Sequence, residues 1–141
     1  MEIKKVLVPV SGGSADEEAV ILACKLARRP KAKVYVTYII EVERSLPLDT
    51  PVDSETEKAE EILTRAEDIA TKAGYDIETD LLQAREIGPA IVNEAVEKGV
   101  DLIVMGIGYK KRLGVFDLGE TIPHIFKEAP CQILLYRGSI S

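Results

Sequence analysis

The sequence predicts an α/β fold: a single-domain, Rossmann-like open sheet of five parallel strands, order 3-2-1-4-5, with helices on both faces. Three observations predict it. Short β-branched runs alternate with longer amphipathic ones through the chain, the pattern of a parallel sheet wound with right-handed crossovers. The run "DLIVMG", residues 101–106, is apolar without alternation, as in a strand buried on both faces. Glycine-marked loops follow the first and fourth strands, and in this strand order those two loops meet where the order reverses.

The elements follow in order. Residues 4–10, "KKVLVPV", read as a buried first strand closed by the turn "SGGS". Ser14 and Glu17 have the spacing of a capping box, and Ala19, Leu22, Ala23, Leu26 and Ala27 share one helical face. Pro30 ends that helix. The second strand is 34–42, "VYVTYIIEV", where Tyr35 and Tyr38 fall on opposite faces by period. Residues 43–52, with Pro47 and Pro51, form the longest irregular connection and the expected mobile part.

Ser54 and Glu57 repeat the capping-box spacing. Behind them Ala59, Ile62, Leu63, Ala66, Ile69, Ala70 and Ala73 recur every three or four residues, and Gly74 closes the helix. Residues 76–83, "DIETDLLQ", are more polar and suit a sheet edge. Pro89 opens a helix whose inward residues are expected to be Ile91, Val92, Ala95 and Val96, with Gly99 at its end. After the fourth strand come a loop, a helix over 120–129 and a last strand, "QILLY", from Gln132 to Tyr136.

Composition narrows the function. A chain of 141 residues holds about one domain's worth of core, so residues 1–141 are expected to form one domain. A net charge of -6 argues against a nucleic-acid binder, which needs a basic face. No apolar run approaches the roughly 18 to 20 residues of a membrane span. The opening "MEIKKVLVPV" reads as a strand and not as a signal segment, so a cytoplasmic protein is expected. Cys24 and Cys131 offer neither a disulfide framework nor a CxxC spacing and are expected as reduced, buried thiols. His124 is the only histidine, which excludes a histidine-based metal site within one chain.

The runs "KKVLVPV", "DLIVMG" and "LGETIPHIFKEAPCQILLYR", with the overall length, resemble the universal stress protein family over essentially the whole chain. The resemblance implies five parallel strands and commonly a dimer. In the family's ATP-binding members the pattern G-x2-G-x9-G-[S/T] wraps the phosphates after the fourth strand, and an acidic residue after the first strand contacts the adenosine. Gly106 matches the first glycine and Gly119 the third. Tyr109 stands at the second glycine and Glu120 at the Ser/Thr position, while Gly108 and Thr121 sit one place off register. Ser11 stands where Asp is usual. The cofactor-binding positions implied are therefore Val10, Ser11, Val42, Gly106, Gly108, Tyr109, Gly119, Glu120 and Thr121, with Val42 in the region where the adenine meets backbone groups.

These departures have physical consequences. A side chain at Tyr109 limits close backbone approach, and Glu120 puts negative charge where a helix N-terminus would attract phosphate. Its carboxylate is expected to cap its own helix. The expected function is a non-catalytic binding or regulatory module that requires no cofactor, with a crevice of nucleotide type and weak or no ATP or AMP binding.

One alternative keeps a working ATP or AMP site, with Gly108 and the basic triplet 110–112 supplying phosphate contacts and "SGGS" an anion nest. The plainer reading of the triplet is a solvated loop, and that of "SGGS" a strand-to-helix turn. A second alternative is a PP-loop-like ATP-dependent enzyme, from the likeness of "VSGGSADE" to an SGGxDS loop, although Asp16 is displaced from the required place. Clusters such as Asp16, Glu17 and Glu18 are expected on solvated helix faces. The last strand is an apolar sheet edge, which pairing across a two-fold axis would cover; a homodimer through 132–136 follows.

Overall fold

The computed structural model describes residues 2–108, 111–112, 115–116 and 119–138, those of 111–112 and 115–116 by backbone alone. Its strands are β1 (Lys5–Pro9), β2 (Lys33–Glu41), β3 (Glu78–Ala84), β4 (Leu102–Ile107), β5 (Lys111–Arg112), β6 (Val115–Phe116) and β7 (Gln132–Arg137). Its helices are α1 (Ala15–Arg28), α2 (Asp53–Lys72), α3 (Ile87–Lys98) and α4 (Thr121–Glu128). The main sheet runs β3-β2-β1-β4-β7 with all four pairings parallel. This is the expected order, with β7 as its fifth strand. The short β5 and β6 form a separate antiparallel pair inside the β4–α4 connection.

Period-two alternation divides the strands between two cores. Val6, Val8, Val34, Val36, Tyr38 and Val104 lie with the helices α1 and α2. Leu7, Tyr35, Ile39, Ile103 and Met105 lie with Ile91 of α3 and Ile125 of α4. Tyr35 and Tyr38 do fall on opposite faces. At the amino edge the Asp101 carboxylate accepts from the backbone N–H groups of Lys4 (2.8 Å) and Lys5 (3.0 Å), which ties the start of β1 to the start of β4.

The helix ends differ from expectation at one terminus and agree at the other. Neither capping box forms. Ser14 already has helical backbone angles (φ -64, ψ -22) and its hydroxyl makes no cap bond; an N-cap side chain reaches back only from extended backbone. In α2 the helix starts at Asp53, which leaves Val52 at the cap position and Ser54 inside the first turn. The C-terminus of α2 is as expected. Gly74 (φ +75) donates its N–H to Thr71 O and Tyr75 donates to Ala70 O, a Schellman closure that requires the left-handed backbone glycine supplies.

Two side-chain expectations are corrected. Val96 is 58% exposed, because Ala95 and Ile91 take the inward face of α3 and the next residue turns about 100° away. Two positions on that helix are buried though the pattern did not foresee them, Gly88 and Glu94. The thiol of Cys24 is buried but that of Cys131 is only half-buried. Both are free, and desolvation pushes both thiols above their usual range.

The connection 43–52 is held by side chains of β3 and its exit. Arg85 Nη1 donates to the carbonyls of Glu43 (2.5 Å) and Leu46 (2.7 Å). Gln83 Nε2 donates to those of Leu48 (2.8 Å) and Thr50 (3.0 Å). These bonds satisfy carbonyls that lack strand or helix partners. They also present Leu46 and Leu48 to solvent.

Candidate functional site at the carboxyl edge of the sheet

Because β1 and β4 are parallel neighbours, their carboxyl ends emerge side by side, with α1 leaving the first and the β4–α4 connection leaving the second. Val10 and Val42 continue the strands. The Val10 N–H donates to Thr37 O (3.0 Å) and the Val42 N–H to Ala84 O (2.8 Å), and both side chains are buried in the α1/α2 core. They serve as floor and not as exposed contacts.

The turn after β1 is closed by a residue in the next helix. Asp16 Oδ1 accepts from the Ser11 N–H (3.1 Å) and Asp16 Oδ2 from the Gly12 N–H (2.7 Å). Gly12 holds φ +90, a conformation that an L side chain rarely adopts. "SGGS" thus does gather adjacent amides, but the chain's own carboxylate occupies two of them. Asp16 is half-buried, contrary to its expected place on a solvated face, and desolvation raises its pKa against the lowering effect of these two bonds and of Arg65.

Gly106 lies near the end of β4, beside the first turn of α1. The glycine there serves close helix–strand packing, so its match to the phosphate pattern carries a structural explanation of its own. Gly108 is exposed with open space around it. Tyr109 lies outside the described residues, as does Lys110, and Lys111 and Arg112 are described by backbone alone. Gly119 (φ +72) and Glu120 are exposed at the start of α4, and Thr121 is its first residue. The Glu120 side chain makes no cap bond, which corrects the expectation that it caps its own helix. Its charge remains beside the amide end of α4.

A second recess lies beside the β1/β4 crevice among the described residues. It is a cleft of about 430 Å³ between α1 and α2, roofed by the turn at Gly12 and Gly13. Of the expected site residues only Val10 lines it. Pattern reading missed Asp16, Ile62 and Arg65 there. The proximity of Asp16 to "SGG" was a local signal, but the approach of α2 to that turn joins residues about fifty positions apart. Among the described residues no group of three or more His, Cys, Asp or Glu is placed to hold a metal ion. No helix among them is long and apolar enough to cross a membrane. His124 is half-buried and packs its ring near Gly88, away from both cysteines in sequence.

Comparison with known proteins agrees with this architecture. The family model described as the universal stress protein family matches residues 2–137. A putative universal stress protein of Staphylococcus haemolyticus is 32% identical over 143 residues, covering 95% of this chain and 84% of the relative. The structure of a universal stress protein from Archaeoglobus fulgidus superposes with a TM-score of 0.80 at 24% identity, covering 94% of this chain and 97% of the other. A universal stress protein structure from the same organism, in complex with dAMP, gives a TM-score of 0.76 at 23% identity, covering 96% and 98%. At such identities the structural likeness establishes the fold.

Proposed function

The chain belongs to the universal stress protein family, and we propose that within it residues 1–141 act as a non-catalytic binding or regulatory domain whose nucleotide crevice binds ATP weakly or not at all. The observation that carries this reading is the Asp16 carboxylate seated on the Ser11 and Gly12 amides. A triphosphate approaching the β1 turn meets a carboxylate in place of free N–H donors, and Glu120 adds a second negative charge at the start of α4. Calorimetry with magnesium and ATP tests it: weak or absent heat is expected, and sub-micromolar affinity would overturn the reading.

A second reading, a working site for an adenine monophosphate such as AMP, is favoured by the dAMP bound to the similar Archaeoglobus protein. A monophosphate brings less charge to the same edge, so it tolerates Asp16 better than a triphosphate does. The PP-loop alternative is set aside in favour of the family to which the chain belongs.

The reading includes a cytoplasmic homodimer. Its support is the sheet order, which ends on β7, so that strand has a hydrogen-bonded neighbour in β4 on one side only. Ile133, Leu134, Leu135 and Tyr136 on it are half-buried, as befits an edge awaiting cover. Sedimentation at micromolar concentration is expected to give twice the 15.5 kDa chain mass.

A further inference from the structure

We infer that the outer face of α1 and α2 is a self-association surface, on which a second copy of this chain docks by a two-fold rotation with its α2 antiparallel to this one. The charges on α2 carry the inference. Glu61, Arg65, Asp68 and Lys72 recur at spacings of four, three and four residues, which sets them on one helical stripe, and all four are exposed. Their signs alternate, so the stripe read in reverse is its own complement. With the rotation axis at the level of Ala66 and Glu67, Glu61 faces the partner's Lys72 and Arg65 faces the partner's Asp68, each pair occurring twice.

Beside it α1 repeats the polarity. The two helices run in the same direction: Glu17 shares a recess with Glu61 at one end, and Arg28 donates to the Ala73 carbonyl at the other. The groove between them is basic toward Lys25, Arg28 and Lys72 and keeps Ile21 and Ile69 partly exposed on its floor. The rotation that pairs α2 with α2 also carries Lys25 and Arg28 toward the partner's Glu17 and Glu18, in the acidic first turn of α1. Each helix's own dipole accounts for acidic first turns and basic last turns, but not for Arg65 and Asp68 in the middle of α2. Nor does the chain pair these charges itself. Glu61 with Arg65 and Asp68 with Lys72 have intrahelical pair spacing, yet none of the four lies within 4.0 Å of an opposite charge; the ion pairs among the described residues join Arg44 to Glu86 and Lys98 to Asp80 and Glu94. Because α2 packs on β2 and β3, this surface is separate from the β7 edge.

Exposed charge pairs are weak one by one and screened by salt, so the contact forms at high protein concentration and low ionic strength. Sedimentation of the full chain across a salt series tests it. The mass at about 50 mM salt is expected to rise toward twice its value at about 500 mM. Glu61→Lys and Lys72→Glu, both at exposed positions that leave the fold intact, should each weaken this step by about tenfold or more, since each sets like charges face to face twice. An equimolar mixture of the two variants should associate as the parent does, because the changes are opposite in sign and meet across the axis. Hydrogen exchange locates the contact: amides 61–72 of α2 are expected to slow as concentration rises at low salt. A mass indifferent to salt, a mixture no better than its components, or exchange in α2 independent of concentration would overturn the inference. A dimer through β7 sets the mass at high salt, and its absence leaves the salt-dependent step and the recovery in the mixture unchanged, so the two interfaces fail separately.

Discussion

A Cβ placed on Gly106 would lie 2.4 Å from the carbonyl oxygen of Ala15 and 3.1 Å from its Cβ, so β4 and the first turn of α1 meet backbone against side-chain-free backbone. No flexible side chain can yield there. Gly106→Ala is expected to destabilise the protein by about 1–3 kcal/mol, the usual result of overpacking a fitted contact. Gly108→Ala, with open space around it, should stay within about 0.5 kcal/mol of the parent. Chemical denaturation of both variants checks the pair, and equal loss at the two positions would contradict the contact.

Arg85 holds the connection 43–52 through the Glu43 and Leu46 carbonyls. Arg85→Ala should therefore speed amide hydrogen exchange in that segment by about tenfold, corresponding to roughly 1–2 kcal/mol of local stability. Exchange in α2 and the central strands is expected to change little. If the segment exchanges at the same rate in both proteins, the clamp has no energetic weight.

Glu94 is buried beside Lys98, whose ammonium lies 3.7 Å from Glu94 Oε2, 2.8 Å from Asp80 Oδ2 and 4.8 Å from the Tyr35 ring centre. Desolvation is the main cause that raises the Glu94 pKa above its ordinary 4.5, and Lys98 opposes it. As pH falls the folded state takes this proton before the unfolded chain does. The penalty for the ionised group is complete above the folded pKa and disappears below 4.5. Glu94→Gln should accordingly be more stable than the parent at neutral pH, with the advantage vanishing as pH drops below the ordinary carboxyl range. Thermal melts across pH 3 to 8 decide it, and an advantage that grows toward acid would contradict the sign.

Returning the glycine and hydroxyl of the family pattern tests the altered crevice. Tyr109→Gly with Glu120→Ser is expected to raise magnesium-ATP affinity by about tenfold or more, since one change permits backbone approach and the other removes a charge at a helix N-terminus. Adding Asp16→Asn should raise it further by freeing the β1 turn. Unchanged affinity in all three backgrounds would remove the crevice from consideration as a phosphate site.

The periodicities of 2 and 3.6 were enough to place five parallel strands and four helices, because burial on a sheet or helix face is written residue by residue. Element ends moved by one or two positions, and Ser14 and Ser54 failed as side-chain caps because backbone angles at a helix start are set by how the preceding strand or loop arrives. Val96 looked inward by pattern alone; the packing of α3 on the sheet chose Ala95 instead, and a buried Glu94 came with that choice.

Glycine identity marked two places where the backbone needs it, since only glycine fits φ +90 at Gly12 or the approach of Ala15 at Gly106. What those glycines are for was decided in three dimensions. The carboxylate of Asp16 reaches two amides only when α1 turns back over the end of β1, and Arg65 and Ile62 join it only when α2 packs alongside. Sequence determined the fold, because its code is local and repeated. Tertiary structure decided the chemistry of the edge, because a hydrogen bond and a cleft depend on distances between segments that no spacing along the chain records.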